Sequence, residues 1–445
     1  MEPTRRDAMG VSLALLASPW LGRWQQASEV QESKVPTPEP RVARFERMAF
    51  GLFVHWGLYS QLARGEWVKH YQAIPTVEYM RLMEGFTARE FSGRDLARAA
   101  RRSGMRYVTL TTRHHDGFSL YDTQGLSPYD VTHTPAGRDL VADFVGGCRA
   151  EGIVPMLYCT TLDWSDERFE KDWKAYQQYL RSSIELLCTR YGEIGGFWFD
   201  GNWSKPEADW ELDQLYGLIR RHQADALILN NTGLEHGGAL GHPEIDSVTF
   251  ERGRPRPLDR RGHPKYVAGE MCHTFNFHWG LAASDFNYLA PGHVIETLCA
   301  CRGAGANLLM NVGPTAEGAI PAYERAALAR VGDWLALHGG MEGPLYLGRP
   351  TRVVGEERDF ALEIDGSLVL FVFDLTPTAD SRVGLTCRGP GPRAFRGVPE
   401  RFVRARWMDN GEVLKVERDG ERCVLNATAY PYGTNTVVRL ARLEA

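Results

Sequence analysis

Five apolar runs of this 445-residue chain end in polar side chains of the types that take part in catalysis or ligand binding. A single residue of this kind is more often a structural hydrogen-bonding group than a catalytic one. Five such ends in one chain favour a functional site, because the active site of a parallel α/β barrel lies at the carboxyl ends of its strands. The residues at these ends are His55, His114, His115, Asp116, Asp200, Asn230, Asn231 and Glu270.

Asp200 is the sharpest catalytic candidate among them. It follows the run GGFWF, so its carboxylate is expected at the barrel mouth beside aromatic rings that suit a sugar. The alternative is a turn or helix-capping aspartate, because Asp-Gly is also turn chemistry. Glycoside hydrolysis needs two carboxyl groups flanking the scissile bond, one of them protonated. Spacing does not choose the partner of Asp200 among Glu66, Glu251 and Glu270.

A metal-dependent hydrolase is a competing hypothesis, because His55 and residues 114–116 supply ligand types on neighbouring strand ends. Consecutive residues of a strand point to opposite faces, which disfavours a shared ion for the His-His-Asp segment. We therefore expect no metal and no other cofactor.

The elements that must position these residues follow an alternating pattern. Short β-rich apolar runs alternate with amphipathic segments that end near glycine, as helices do. Two further runs, 247–250 and 266–272, bring the strands to eight and predict an α/β fold, a (β/α)8-like barrel over residues 45–345. A doubly wound open sheet remains the alternative. The other six runs are 50–56, 107–112, 153–160, 196–200, 227–231 and 307–312.

The last hundred residues change to a period of two around Asp-Gly and Asn-Gly pairs, which is typical of antiparallel hairpins. We predict a C-terminal antiparallel β-sandwich over residues 346–445. It contains no obvious reactive cluster.

The amino-terminal segment has Arg5 and Arg6 before a short apolar stretch, which predicts a twin-arginine export signal in residues 1–30 and an exported protein. The alternative is a frayed terminus with a chance arginine pair. Residues 31–44 are polar and proline-rich, as in a linker. The apolar stretch is too short to span a bilayer. The net charge of -5 disfavours nucleic-acid binding, and the eight cysteines form no disulfide framework.

Six motifs, in order, resemble those of glycoside hydrolase family 29, the α-L-fucosidases. The resemblance covers roughly residues 45–346 and implies a (β/α)8-like barrel with a C-terminal β-sandwich. It also implies a retaining exo-α-L-fucosidase that acts on fucosylated oligosaccharides or glycoconjugates without a cofactor. The motifs are FGLFVHWGLYS with GEW, RHHDGFSLYDT, DLVADFVGGCRAEGIVPMLY, YGEIGGFWFDG, GEMCHTFNFHWG and NLLMNVGPTAEGAIP.

The resemblance implies a role for each matching residue. Asp200 matches the family's nucleophile, and Glu270, in its W-E-x-C segment, matches the general acid/base. The implied substrate-binding residues are His55, Glu66, Trp67, His114, His115, Trp198 and Trp279.

Two positions depart from the family pattern. Gly269 stands where the family usually has Trp, and Thr232 where it commonly has an Arg near the substrate. Arg252 or Arg254 is a candidate replacement for that Arg. The departures leave open a related α-L-glycosidase with altered sugar or linkage preference, and a catalytically silent fucose-binding protein.

Overall fold

The computed structural model describes residues 35–231, 241–253, 255, 257, 260–261, 263–375, 389–428 and 437–445. The predicted export signal, Thr232 and Arg254 lie outside these residues. Within them, no helix is both long and apolar enough to cross a membrane.

The first domain is a closed barrel of eight parallel strands, in the order β1 to β8, with β8 pairing back onto β1. This confirms the predicted barrel. Its strands are buried along almost their whole length, because helices cover the outside and side chains fill the inside. The strands are β1 Phe50–Val54, β2 Tyr107–Arg113, β3 Val154–Thr160, β4 Gly196–Asp200, β5 Leu227–Asn230, β6 Ser247–Glu251, β7 Ala268–His273 and β8 Asn307–Val312.

Some of the helices begin at a side chain that satisfies a free backbone N–H group. Asp139 accepts a hydrogen bond from the Ala142 N–H, and Asp172 does the same for Ala175. The helices are α1 Pro40–Met48, α2 Val68–Tyr71, α3 Thr76–Met80, α4 Gly93–Arg102, α5 Leu140–Ala150, α6 Arg168–Lys171, α7 Trp173–Arg190, α8 Leu212–His222, α9 Pro291–Gly303, α10 Ala322–Leu337 and α11 Pro344–Leu347.

Helix α1 begins inside the segment predicted as a linker. Pro40 occupies its first turn, where a missing N–H costs nothing. Phe45 is fully buried and packs edge-on against Tyr107 at a centroid distance of 5.4 Å. The helix therefore closes the amino-terminal end of the barrel and belongs to the first domain.

The second domain contains eight antiparallel strands, as predicted for the C-terminal region. They hydrogen-bond in the closed order β10-β11-β16-β13-β14-β15-β12-β9, so its layers are parts of one continuous sheet. The indole N–H of Trp334 in α10 donates to the Val438 carbonyl at 3.2 Å, which joins the two domains. The strands are β9 Arg349–Gly355, β10 Phe360–Ile364, β11 Ser367–Phe373, β12 Gly391–Arg396, β13 Arg404–Trp407, β14 Val413–Asp419, β15 Arg422–Ala427 and β16 Val438–Glu444.

Candidate active site

A cleft of about 460 Å³ opens at the carboxyl ends of the barrel strands. Its walls combine aromatic rings with carboxylate, imidazole and guanidinium groups, a mixture suited to a polar ligand with apolar faces. The lining residues are Phe53, His55, Arg64, Glu66, Trp67, Tyr71, His114, His115, Tyr158, Trp198, Asp200, Trp203, Asn231, Glu251, Arg252, Cys272, Phe277, His278 and Trp279.

Asp200 ends β4 and projects into this cleft, as the sequence predicts. Its Oδ2 accepts a hydrogen bond from the Tyr158 hydroxyl, and its Oδ1 accepts one from the indole N–H of Trp203, each at 2.9 Å. Burial raises the pKa of Asp200, but the hydrogen bond and charge of His115, together with the bonds from Trp203 and Tyr158, bring that pKa below its ordinary value. Asp200 is therefore an ionised carboxylate at neutral pH.

Glu251 ends β6 and supplies a second carboxyl group beside Asp200. The amide nitrogen of Asn231 donates to Asp200 Oδ1 at 3.4 Å and to Glu251 Oε2 at 3.1 Å. Because both acceptor oxygens contact the same nitrogen atom, they lie at most about 6.5 Å apart. Burial, and then the charge of Asp200, raise the pKa of Glu251 against the opposing hydrogen bond from Asn231. The cleft thus holds one carboxyl with a lowered pKa and one with a raised pKa.

Glu66 also lines the cleft, and one of its carboxylate oxygens is occupied by backbone N–H groups. Its Oε2 accepts the backbone N–H groups of Trp279 at 2.9 Å and Gly280 at 2.8 Å. Glu66 therefore holds the loop that carries Trp279 in place.

His55 has a fixed tautomer. The side-chain amide of Asn311 donates to the Trp279 carbonyl at 2.6 Å, so its oxygen must accept from His55 Nδ1 at 2.7 Å. Burial lowers the pKa of His55 to about 3, so the ring is neutral and its Nε2 is an acceptor at the cleft. Burial likewise lowers the pKa of His114, whose Nδ1 is buried without a hydrogen-bond partner.

His115 lies between Thr160 and the Asp200 carboxylate. The Thr160 hydroxyl donates to the Leu162 carbonyl at 2.6 Å, so it accepts from His115 Nδ1, also at 2.6 Å. His115 Nε2 faces Asp200 Oδ2 at 3.4 Å. The imidazole is therefore held in place beside the Asp200 carboxylate.

Aromatic rings form the floor and one wall of the cleft. Trp198, on the interior face of β4, stacks on Tyr158 at 5.7 Å. Tyr71, Trp67 and Trp203 form a stacked row, with centroid distances of 5.5 Å and 5.9 Å. Trp279 closes the opposite side, 5.0 Å from the ring of His55. The structure therefore brings together all the predicted substrate-binding residues.

Glu270 is the predicted site residue that the structure does not bring to the cleft. It lies between Ala268 and Cys272 on the interior face of β7, with Cys272 above it in the cleft wall. Its side chain is fully buried and accepts hydrogen bonds from the Tyr107 hydroxyl at 2.5 Å and the Trp198 indole at 2.8 Å. Glu270, predicted as the acid/base, therefore lies beneath the floor and does not line the cleft.

Two residues in contact with the Asp200 carboxylate, Tyr158 and Trp203, were not predicted as part of the site. Tyr158 lies within an apolar run, and Trp203 lies in the loop after β4, so neither stands at the end of a strand. Asn231 was visible at a strand end, but nothing in its spacing indicated that it bridges two carboxylates.

Arg252 lies in the cleft wall, with its guanidinium 5.4 Å from the ring of Trp279 and an N–H donated to the Phe277 carbonyl at 2.9 Å. Thr232 and Arg254 are outside the described residues, so which arginine replaces the one missing at Thr232 stays open. In the part of the chain that the structure describes, no three His, Cys, Asp or Glu side chains group as a metal ion would require.

Comparisons with known proteins agree with the fold and the cleft described above. The alpha-L-fucosidase family model matches residues 23–340. Human tissue alpha-L-fucosidase is 26% identical over 412 residues, which cover 83% of this chain and 84% of that protein. The alpha-L-fucosidase isoenzyme 1 of Paenibacillus thiaminolyticus superposes with a TM-score of 0.77 at 29% identity, covering 91% of this chain and 99% of the other. An alpha-L-fucosidase from Bacteroides thetaiotaomicron, at 21% identity and a TM-score of 0.76, shares the fold over 93% of this chain and 96% of its own.

Together with these relatives, the parallel barrel, its carboxylate-lined cleft and the second antiparallel domain place this protein among the glycoside hydrolases. Because the family model covers well over half of the sequence, the chain belongs to the α-L-fucosidase family, glycoside hydrolase family 29.

Proposed function

We propose that the protein is a retaining exo-α-L-fucosidase that removes terminal α-L-fucose from glycans or glycoconjugates, with Asp200 as nucleophile and Glu251 as general acid/base. The observation that supports the proposal is that the amide nitrogen of Asn231 donates to both carboxyl groups, so that the two acceptor oxygens lie at most about 6.5 Å apart. Retaining glycosidases need about 5 to 5.5 Å, whereas inverting ones leave about 6.5 to 9.5 Å for a water molecule.

The first step forms a bond between Asp200 and the anomeric carbon while the glycosidic bond breaks. Glu251 gives its proton to the departing oxygen, for which its raised pKa suits it. His115, Trp203 and Tyr158 keep Asp200 ionised until it attacks.

The second step reverses these roles. Glu251, now a carboxylate, takes a proton from water, whose oxygen attacks the anomeric carbon and releases Asp200. Two inversions return the sugar with its original α configuration, and both carboxyl groups regain their starting protonation states.

The sugar is expected to sit over Trp198, between the Trp67 row and Trp279. The neutral His55 offers an acceptor to a hydroxyl group, and the aromatic rings cover apolar faces and the methyl group of fucose. The closed floor favours attack at a chain end. The paired carboxyls argue against a catalytically silent fucose-binding protein.

The test is the anomer released first from an aryl α-L-fucoside, followed by proton NMR before mutarotation. We expect α-L-fucose to appear first. Initial release of β-L-fucose would replace the proposed mechanism with an inverting one, and absence of hydrolysis would remove the activity itself.

We also propose that the protein is exported, on the basis of the arginine pair and apolar stretch in residues 1–30. Expression with Arg5 and Arg6 replaced by lysine should leave the full-length chain in the cytoplasm. Equal export of both forms would contradict a twin-arginine route.

A further inference from the structure

Beyond the catalytic cleft, a second groove of about 420 Å³ continues along the same face of the barrel. Arg64, Phe277 and His278 line both spaces, so the cleft and the groove adjoin at these residues. The remaining groove residues are Ala63, Gln72, Ala282, Ser284, Asp285 and Asn287.

Phe277 is unusual in this wall because its ring is 66% exposed although its backbone is held on both sides. Its N–H donates to Asp285 at 2.9 Å, and its carbonyl accepts from Arg252 at 2.9 Å. Because this ring lines both the cleft and the groove, it lies where a ligand that extends from one into the other would contact it.

Asp285 organises the loop that presents this ring. Besides the Phe277 N–H, it accepts hydrogen bonds from His278 Nδ1 at 2.9 Å and from the Asn287 N–H at 3.0 Å. Glu66 holds the following residues, Trp279 and Gly280. The loop is therefore fixed before any ligand arrives, which lowers the entropy lost on binding.

The groove lining also includes polar side chains. Arg64 donates to the side-chain oxygen of Gln72 at 3.1 Å, and both side chains carry further N–H donors. An aromatic ring together with neutral or cationic donors matches a pyranose, which has apolar C–H faces and a rim of hydroxyl acceptors.

We infer that this groove is the subsite for the leaving-group sugar, an uncharged pyranose stacked on Phe277 with its hydroxyls toward Arg64 and Gln72. The inference rests on the proposed fucosidase function and adds the substrate class: the enzyme selects fucose linked to another sugar rather than to an arbitrary aglycone.

The test compares two substrates that differ only in the leaving group. α-L-Fucosyl fluoride has a single-atom leaving group and cannot fill the groove, whereas a fucosyl disaccharide can. The disaccharide is the one that the wild-type enzyme hydrolyses fastest among the α1,2, α1,3, α1,4 and α1,6 linkages. The Phe277→Ala variant is matched with Phe286→Ala, because Phe286 is 84% exposed on the same loop and lines neither space.

We expect kcat/KM of Phe277→Ala for the disaccharide to fall roughly ten-fold more than its kcat/KM for fucosyl fluoride. Gln72→Ala should show the same selectivity to a smaller degree, and Phe286→Ala should show none. Equal losses on both substrates, or the same selectivity in Phe286→Ala, would overturn the subsite. So would a wild-type enzyme that hydrolyses the fluoride but none of the disaccharides. An enzyme inactive on every fucoside, fluoride included, would instead refute the proposed function.

Discussion

Glu251 and Glu270 lie on neighbouring strands of one barrel, yet their surroundings differ. Glu251 ends its strand, is half-buried and shares an amide donor with Asp200. Glu270 lies deeper on β7 and is enclosed by Tyr107 and Trp198. Burial raises the pKa of both groups, to about 7 for Glu270. A raised pKa therefore does not identify a catalytic acid unless the group also reaches the substrate.

The largest loss of activity is expected when Asp200 is replaced. Its charge is also one of the causes of the raised pKa of Glu251. Asp200→Gly should lower kcat by roughly 10⁴-fold while the circular dichroism spectrum is unchanged, because the nucleophile is lost. Added azide should occupy the vacated space and give β-L-fucosyl azide, detected by NMR. Turnover near the wild-type rate would show that Asp200 is not the nucleophile.

A smaller change is expected at Asn231, which couples Glu251 to Asp200. Its hydrogen bond lowers the pKa of Glu251, so Asn231→Ala should raise that pKa further. The basic limb of the pH profile of kcat/KM, where Glu251 loses its proton, should then move to higher pH, with activity reduced roughly ten-fold. Asn230→Ala is the control, because the Asn230 amide donates to Asn202 and Tyr216 instead. If the basic limb does not move in Asn231→Ala, the ionisation that produces this limb is not that of Glu251.

The smallest effect on activity is expected when Glu270 is replaced. This substitution should instead change how the free energy of unfolding depends on pH. Its pKa is about 7 in the folded protein against an ordinary 4.5, so the folded state holds the proton more tightly. Wild-type stability should therefore decline as the pH rises from about 4.5 to 7, by up to roughly 3 kcal/mol from this group alone. The free energy of unfolding of wild type and of Glu270→Gln is measured by urea titration at a series of pH values. We expect Glu270→Gln to lack this part of the decline. Parallel pH dependence in both proteins would contradict the buried, protonated carboxyl.

Sequence patterns predicted the barrel and Asp200 because both depend on local features, namely apolar runs and the residue that ends each one. Glu270 was misplaced because the run 266–272 does not tell how deep a residue lies along the strand. The strand in fact begins at Ala268 and continues to His273, which puts Glu270 below the floor. Tyr158 and Trp203 were missed because their contacts with Asp200 arise only when strands and loops come together in space.

The most direct test of the central claim is the dependence on leaving group in Glu251→Ala and Glu270→Gln. For Glu251→Ala we predict a loss of roughly 10² to 10⁴-fold in kcat/KM on a fucosyl disaccharide and little loss on a 2,4-dinitrophenyl fucoside, which needs no proton. Glu270→Gln should change both substrates to the same small extent. The opposite assignment, with leaving-group dependence in Glu270→Gln and none in Glu251→Ala, would contradict the account.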